Sequence, residues 1–159
     1  MEQTSGSQYL VLGGGSFDGT FGFGGNEISS YVWENVNCGC GEYYSDAMFL
    51  AKGTIGGNWI WAQHYGLDED SSWESIQDVE VDASGNAIVA GFTGSSDPFG
   101  TGAPSYGNYD AFVARILENG TTDWSAVGGS SLSEADVDAH ILESGAIEVV
   151  GRWAGSEQE

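Results

Sequence analysis

The residues of this chain that could carry chemistry are abundant in one kind and scarce in every other: 24 acids, two cysteines and two histidines. The cysteines stand as Cys38-Gly39-Cys40, without a second close pair. His64 and His140 fall on non-equivalent strands, so the four do not add up to a zinc ligand set. A bridge between Cys38 and Cys40 is strained, because side chains two residues apart rarely reach disulfide geometry. The open expectations are a disulfide within or between chains, as an extracellular setting permits, and free thiols. Asp68, Glu69 and Asp70 form an acidic loop of the sort that supplies oxygen ligands to calcium. The loop lacks the alternating spacing of a dedicated calcium site, and Ser130 to Glu134, its counterpart later in the chain, keeps one acid. A solvated turn is the simpler reading of both.

Catalysis finds less support still. Carboxylate pairs for glycoside hydrolysis can be nominated anywhere among so many acids, so their presence selects nothing. The chain has no G-x-S-x-G elbow and no phosphate loop, and Gly13-Gly14-Gly15 runs into more glycine rather than a helix N-terminus. The expectation is therefore a protein that is not an enzyme and needs no cofactor, calcium being the exception to test. Trp33, Tyr43 and Tyr44 are the better binding candidates. Aromatic faces stack on sugars, which makes a glycan the alternative ligand, and aromatics equally anchor subunit contacts.

Composition limits the partners. The 159 residues carry a formal charge of −21, with Lys52, Arg115 and Arg152 as the three cations. Three cations cannot build the basic patch that a phosphate backbone requires, so nucleic acid is excluded, and an anionic membrane surface repels the chain for the same reason. No apolar run reaches the length that crosses a bilayer. The opening MEQTSGSQYLVLGGG has neither the basic region nor the apolar segment of a secretory signal. That leaves a cytosolic chain or a mature or trimmed form.

The elements that must position these residues come from internal repetition. DAMFLAKGTIGGNWIWAQHYG (Asp46 to Gly66) and DAFVARILENGTTDWSAVGG (Asp110 to Gly129) align at a shift of 63, which puts Phe49 on Phe112, Lys52 on Arg115, Gly57 on Gly120 and Trp61 on Trp124. SIQDVEVDASGNAIVAGFTG then aligns with ADVDAHILESGAIEVVGRWAG at a shift of 60, pairing Asp78 with Asp138, Gly85 with Gly145 and Gly91 with Gly151. A fragment, QYLVLGG, places Val11 on Val89 and Gly13 on Gly91 at a shift of 78. Alternating apolar residues flank glycine turns, as in Val79, Val81, Ile88 and Ala90 around Asp82 to Asn86, which is a hairpin signature. No run is long enough for an amphipathic helix before glycine or Ser/Thr interrupts it. Nine strands follow: 9–13, 47–52, 58–65, 76–82, 86–92, 111–117, 122–127, 136–142 and 146–152.

The pattern D-A-F-V-A-[KR] with a following Gly and Trp (Asp110 to Arg115, Gly120, Trp124), then the D-x-S-G-N turn and its V-x-G strand end (Asp82, Ser84, Gly85, Asn86, Gly91), resembles the bacterial β-propeller repeat often called the SBBP repeat. The resemblance covers 46–95 and 110–155, with a fragment at 8–13. It implies four-stranded antiparallel blades, a surface or secreted setting and no established catalytic activity. Leu142 and Ala146 depart from it, standing where Asp82 and Asn86 stand in the first copy.

The expected fold is all-β: one β-repeat domain over 1–159 with about two propeller-type blades, an incomplete third, and a glycine- and aromatic-rich, loop-like insertion at 14–45. Phe49, Trp61, Phe112 and Trp124 are its repeated packing positions. The recurrence of Lys52 and Arg115 has two readings, an ion pair with a strand acid such as Asp78 or Asp138, and simple survival from a common repeat ancestor. Two blades leave faces and edges bare. The expected function is an extracellular or cell-surface structural and adhesive module that self-associates into a ring or filament. The alternatives are a glycan or calcium binder using 14–45 and the acidic loops, and a piece of a larger surface protein.

Overall fold

The structure is a computed structural model. It describes backbone and side chains for Phe17, 19–30, 47–66 and 73–152, and backbone pairing alone for 2–3, 9–16, 32–34 and 42–44. The described residues are all-β, with no helix among them. Strands β1 (Glu2–Gln3), β2 (Tyr9–Phe17), β7 (Ala47–Thr54) and β8 (Trp59–Tyr65) form a first antiparallel sheet in the order β1-β2-β7-β8. Strands β9 (Glu74–Val81), β10 (Ala87–Thr93), β11 (Asp110–Ile116) and β12 (Thr122–Gly128) form a second, each paired with its sequence neighbour. β13 (Ala135–Ile141) and β14 (Ile147–Arg152) form a third sheet of two strands.

The structural unit is offset from the sequence repeat. Each four-stranded sheet joins one hairpin (β1–β2 or β9–β10, called the inner hairpin) to the Phe/Trp hairpin that follows it in the chain, so the second sheet takes its first two strands from one repeat and its last two from the next. The third sheet is an inner hairpin alone among the described residues.

The sheets stack face to face in chain order. β2 and β7 pack on β9, and β9, β10 and β11 pack on β13. Alternation along each strand supplies both faces, since successive side chains point to opposite sides. Met48, Leu50 and Tyr65 from the first sheet meet Val89, Phe112, Ala114 and Ile116 from the second, all buried. Phe99, from the link between β10 and β11, closes this core by packing on Tyr65 and Phe112 with ring centroids 5.3 and 5.0 Å away. On the other side of the second sheet, Ile88 and Ala90 meet Val137 and Ala139.

The nine expected strands are present to within a few residues at their ends, and five more accompany them among the described residues. The insertion is where the expectation fails. It is not simply loop: β3 (Thr20–Phe23) pairs with β4 (Asn26–Ser29), and β5 (Val32–Glu34) pairs with β6 (Glu42–Tyr44). The first of these hairpins covers the outer face of the first sheet, with Phe23 and Ile28 buried against Phe49, Trp59 and Ala51. The register of the N-terminal fragment is also corrected by one residue. Leu12 pairs with Ala51 as Val89 pairs with Ala114, so Leu12, not Val11, stands where Val89 does. The run Gly13-Gly14-Gly15 lets a sequence alignment slip by one, whereas ladder pairing does not.

Candidate functional site

Two sockets, one at each junction between sheets, are built from equivalent residues. In the first, Lys52 and Trp61 leave the β7–β8 hairpin toward the second sheet. The β11–β12 turn fills it: Lys52 Nζ lies 3.1 Å from Glu118 Oε1, and Trp61 Nε1 donates to Glu118 O at 3.0 Å. Tyr65 Oη donates to Gly120 O at 3.1 Å, and burial pushes this phenol's pKa up. Gly120 has φ +87 and sits against Trp61 and Gln63, a position where a side chain would be both strained and crowded. Asn86 holds this turn from within the second sheet, since Asn86 Oδ1 accepts from Glu118 N at 3.2 Å.

In the second socket the same positions are Arg115 and Trp124. No turn fills it among the described residues. Arg115 is held inside its own sheet, with Nη2 at 2.6 Å from Asp82 Oδ2 and Nη1 at 3.4 Å from Asp123 Oδ2. Partial burial works against the charged form of Asp82. It is outweighed by bonds from the Asn86 side chain and amide, Arg115 and the Ser84 amide, which together hold the carboxyl below its ordinary pKa. A cavity of about 420 Å³ opens beside Arg115 and Trp124, bounded by Ile88, Ile141, Leu142 and Ile147. A neighbouring groove of about 440 Å³ runs along Ala111, Val113, Ala126 and Val149. Val149 and Val150 are 45% and 59% exposed, a high value for valines on a strand.

The outer edge of β14 completes this open end. Leu142 N donates to Ala146 O, so in an antiparallel ladder Glu148 and Val150 turn their amides to β13 while Ile147, Val149 and Gly151 turn theirs outward. The opposite edge of the same sheet is closed. Gln77 Oε1, Asp78 Oδ2 and Glu80 Oε2 accept from the amides of Val137, Ala139 and Ile141 at 2.7, 3.2 and 2.6 Å. Three side chains of β9 thus cap alternate amides of β13, and His140 Nδ1 lies 2.7 Å from Glu80 Oε1.

The expected ion pairs of Lys52 and Arg115 with Asp78 and Asp138 do not form. Asp78 faces a backbone amide of the third sheet, and the cations find Glu118, Asp82 and Asp123 instead. Of the repeated packing positions, Phe112 is buried between the first two sheets, and Phe49 lies under the β3–β4 hairpin. Trp61 and Trp124 line the two sockets. Trp33 stands opposite Tyr43, and Tyr44 opposite Val32, on the β5–β6 hairpin, where the backbone alone is described. Cys38, Cys40, Asp68, Glu69 and Asp70 lie outside the described residues. Asp110, which opens β11, is buried and accepts from Ser105 Oγ and from the amides of Tyr106 and Gly107.

Sequence reasoning missed the capping side chains Gln77 and Glu80 and the buried Glu74. Glu74 accepts from Thr93 Oγ1 at 3.1 Å and also from Ser95 Oγ, tying the start of β9 to the end of β10. A signal for it was present: Glu74 and Glu134 sit at the repeat shift of 60, and both are buried. No protein-family model matches this chain, and no curated protein matches it.

Proposed function

We propose that this chain is a non-enzymatic structural and adhesive module of propeller-type blades that works outside the cell by self-association, each copy completing the open end of another. The observation that carries the proposal is the inequality of the two sockets. One is filled by a hairpin turn, while the other, with the same architecture, presents Trp124, Val149 and an outward-facing β14 edge. Paired four-stranded meanders stacked by their faces, with glycine turns at repeat intervals, support the resemblance to the β-propeller repeat. Among the described residues the outer edge of β14 has no partner strand and lies beside exposed apolar side chains, the arrangement that recruits a further strand. The charge of −21 disfavours indiscriminate aggregation, so association requires a specific fit.

Light scattering across a concentration and salt series, with negative-stain images of the same samples, tests this. Completion between copies gives a mass that rises with concentration to a discrete multiple or to long polymers. A well-folded monomer at every concentration would overturn it.

A further inference from the structure

If copies complete one another as proposed above, one segment of the chain must do the completing, and two geometries do not allow it. Pairing β14 with β14 of a second copy about a two-fold axis would join two two-stranded sheets into one of four. The four-stranded second sheets of both copies would then claim the same face of it, where one fits. A simple head-to-tail stack is blocked as well, because the β3–β4 hairpin covers the outer face of the first sheet.

We propose that the open end takes up the Ala47–Tyr65 hairpin of a second copy by strand exchange, with β13–β14 of one copy replacing β1–β2 beside β7 of the other. β14 and β2 are equivalent strands. Both stand in the place of β10, whose ladder to β11 gives the register of the exchanged pair. Ile88 opposite Arg115 and Val89 opposite Ala114 carry over, at shifts of 60 and 63, to Glu148 opposite Lys52 and Val149 opposite Ala51.

Four features favour this hairpin as the occupant. Glu148 and Lys52 make a cross-strand pair of opposite charge in a chain with three cations, whereas β2 offers Val11 at that position. In the filled socket Glu118 meets Asn86 and Lys52. In the open socket Ala146 and Leu142 replace Asn86 and Asp82, and the β7–β8 turn carries Ile55 where β11–β12 carries Glu118. Ile55 is 56% exposed and Leu142 40%, so an apolar turn meets an apolar rim. The outward face of the hairpin, Phe49, Ala51 and Trp59, then lies on Ala111, Val113 and Trp124, as Phe112 and Ala114 lie on the first sheet. The β2–β7 ladder is interrupted between Gly13 and Ser16 in a glycine run, and glycine weakens a strand interior. Strands β1 to β4 therefore act as an intramolecular stopper that holds the exchange site until a second copy displaces it.

The test uses the full chain with Cys38→Ser and Cys40→Ser. In the exchanged ladder Ala146 takes the place of Tyr9, opposite Thr54. Thr54→Cys and Ala146→Cys are placed on separate copies, mixed and oxidised, with Thr54→Cys against Ser131→Cys as control. The expected result is a disulfide-linked heterodimer at least ten-fold above the control. A mass that rises with concentration while cross-linking stays at the control level overturns the exchange but leaves completion standing. A monomer at all concentrations, without cross-linking, overturns both. Glu148→Lys, on an exposed side chain, is expected to weaken association at least ten-fold with an unchanged melting temperature; unchanged association would contradict the proposed register.

Discussion

The junction between the first and second sheets and the junction between the second and third are two versions of one design, and they differ in what closes them. At the first, the turn of a following hairpin locks onto Lys52, Trp61 and Tyr65. At the second, the following hairpin is absent among the described residues, and the same surface faces outward. The comparison separates residues that stabilise a sheet from residues that prepare it for a neighbour.

The glycine that ends each inner hairpin sharpens the contrast most. A Cβ at Gly91 would run into the backbone carbonyl oxygen of Ser75, whereas at Gly151 the nearest atom is 3.5 Å away. Gly91→Ala is expected to destabilise by on the order of 3 kcal/mol, since a bulged strand cannot move aside without breaking its ladder. Gly151→Ala is expected to cost under about 0.5 kcal/mol. Urea denaturation of the two variants checks this, and equal losses would break the comparison.

The edge caps give the next largest effect. Glu80→Ala removes the acceptor for the Ile141 amide and the partner of His140, with an expected loss of about 1.5–3 kcal/mol from its charge-assisted bonds. Asp138, at the position equivalent to Asp78, is exposed and caps nothing among the described residues, so Asp138→Ala is expected to fall within about 0.5 kcal/mol of wild type. A smaller difference is expected at the tryptophans. Trp61→Phe loses a hydrogen bond to Glu118 O and costs about 1 kcal/mol. Trp124→Phe leaves folding nearly unchanged and weakens self-association, as paired thermal melts and light scattering would show.

Acid should distinguish the two inner hairpins by the smallest amount. The Asp82 carboxyl has a folded pKa below its unfolded one, so its contribution is fully present above the ordinary carboxylate value and is lost as pH falls through the folded value. The hairpin ending at Thr93 therefore loses support in acid. The equivalent turn has Leu142 and gains no such dependence. Asp82→Asn is expected to flatten the acid limb of the stability curve, measured by urea midpoints at pH 2 to 5.

Much of this was legible in the sequence. Alternation around glycine turns located β2, β7 and β8 to β14, and the two repeat shifts of 63 and 60 anticipated that Trp61 and Trp124 occupy equivalent sites. The hairpins within 14–45 were not legible, because Thr20–Phe23 and Asn26–Ser29 are short and glycine-flanked, without the β-branched alternation that marks a strand. The partners of Lys52 and Arg115 were hidden for another reason. They depend on how one sheet lies over the next, and no periodicity within a strand encodes that.

Amide hydrogen exchange along β14 at low and high protein concentration tests the central claim most directly. At low concentration Glu148 and Val150, whose amides bond to β13, are expected to exchange slowly, and Ile147, Val149 and Gly151, whose amides face outward, to exchange fast. At high concentration the second set should slow to match the first as the edge is paired. If mass rises while those three amides continue to exchange fast, the open edge is not where copies meet.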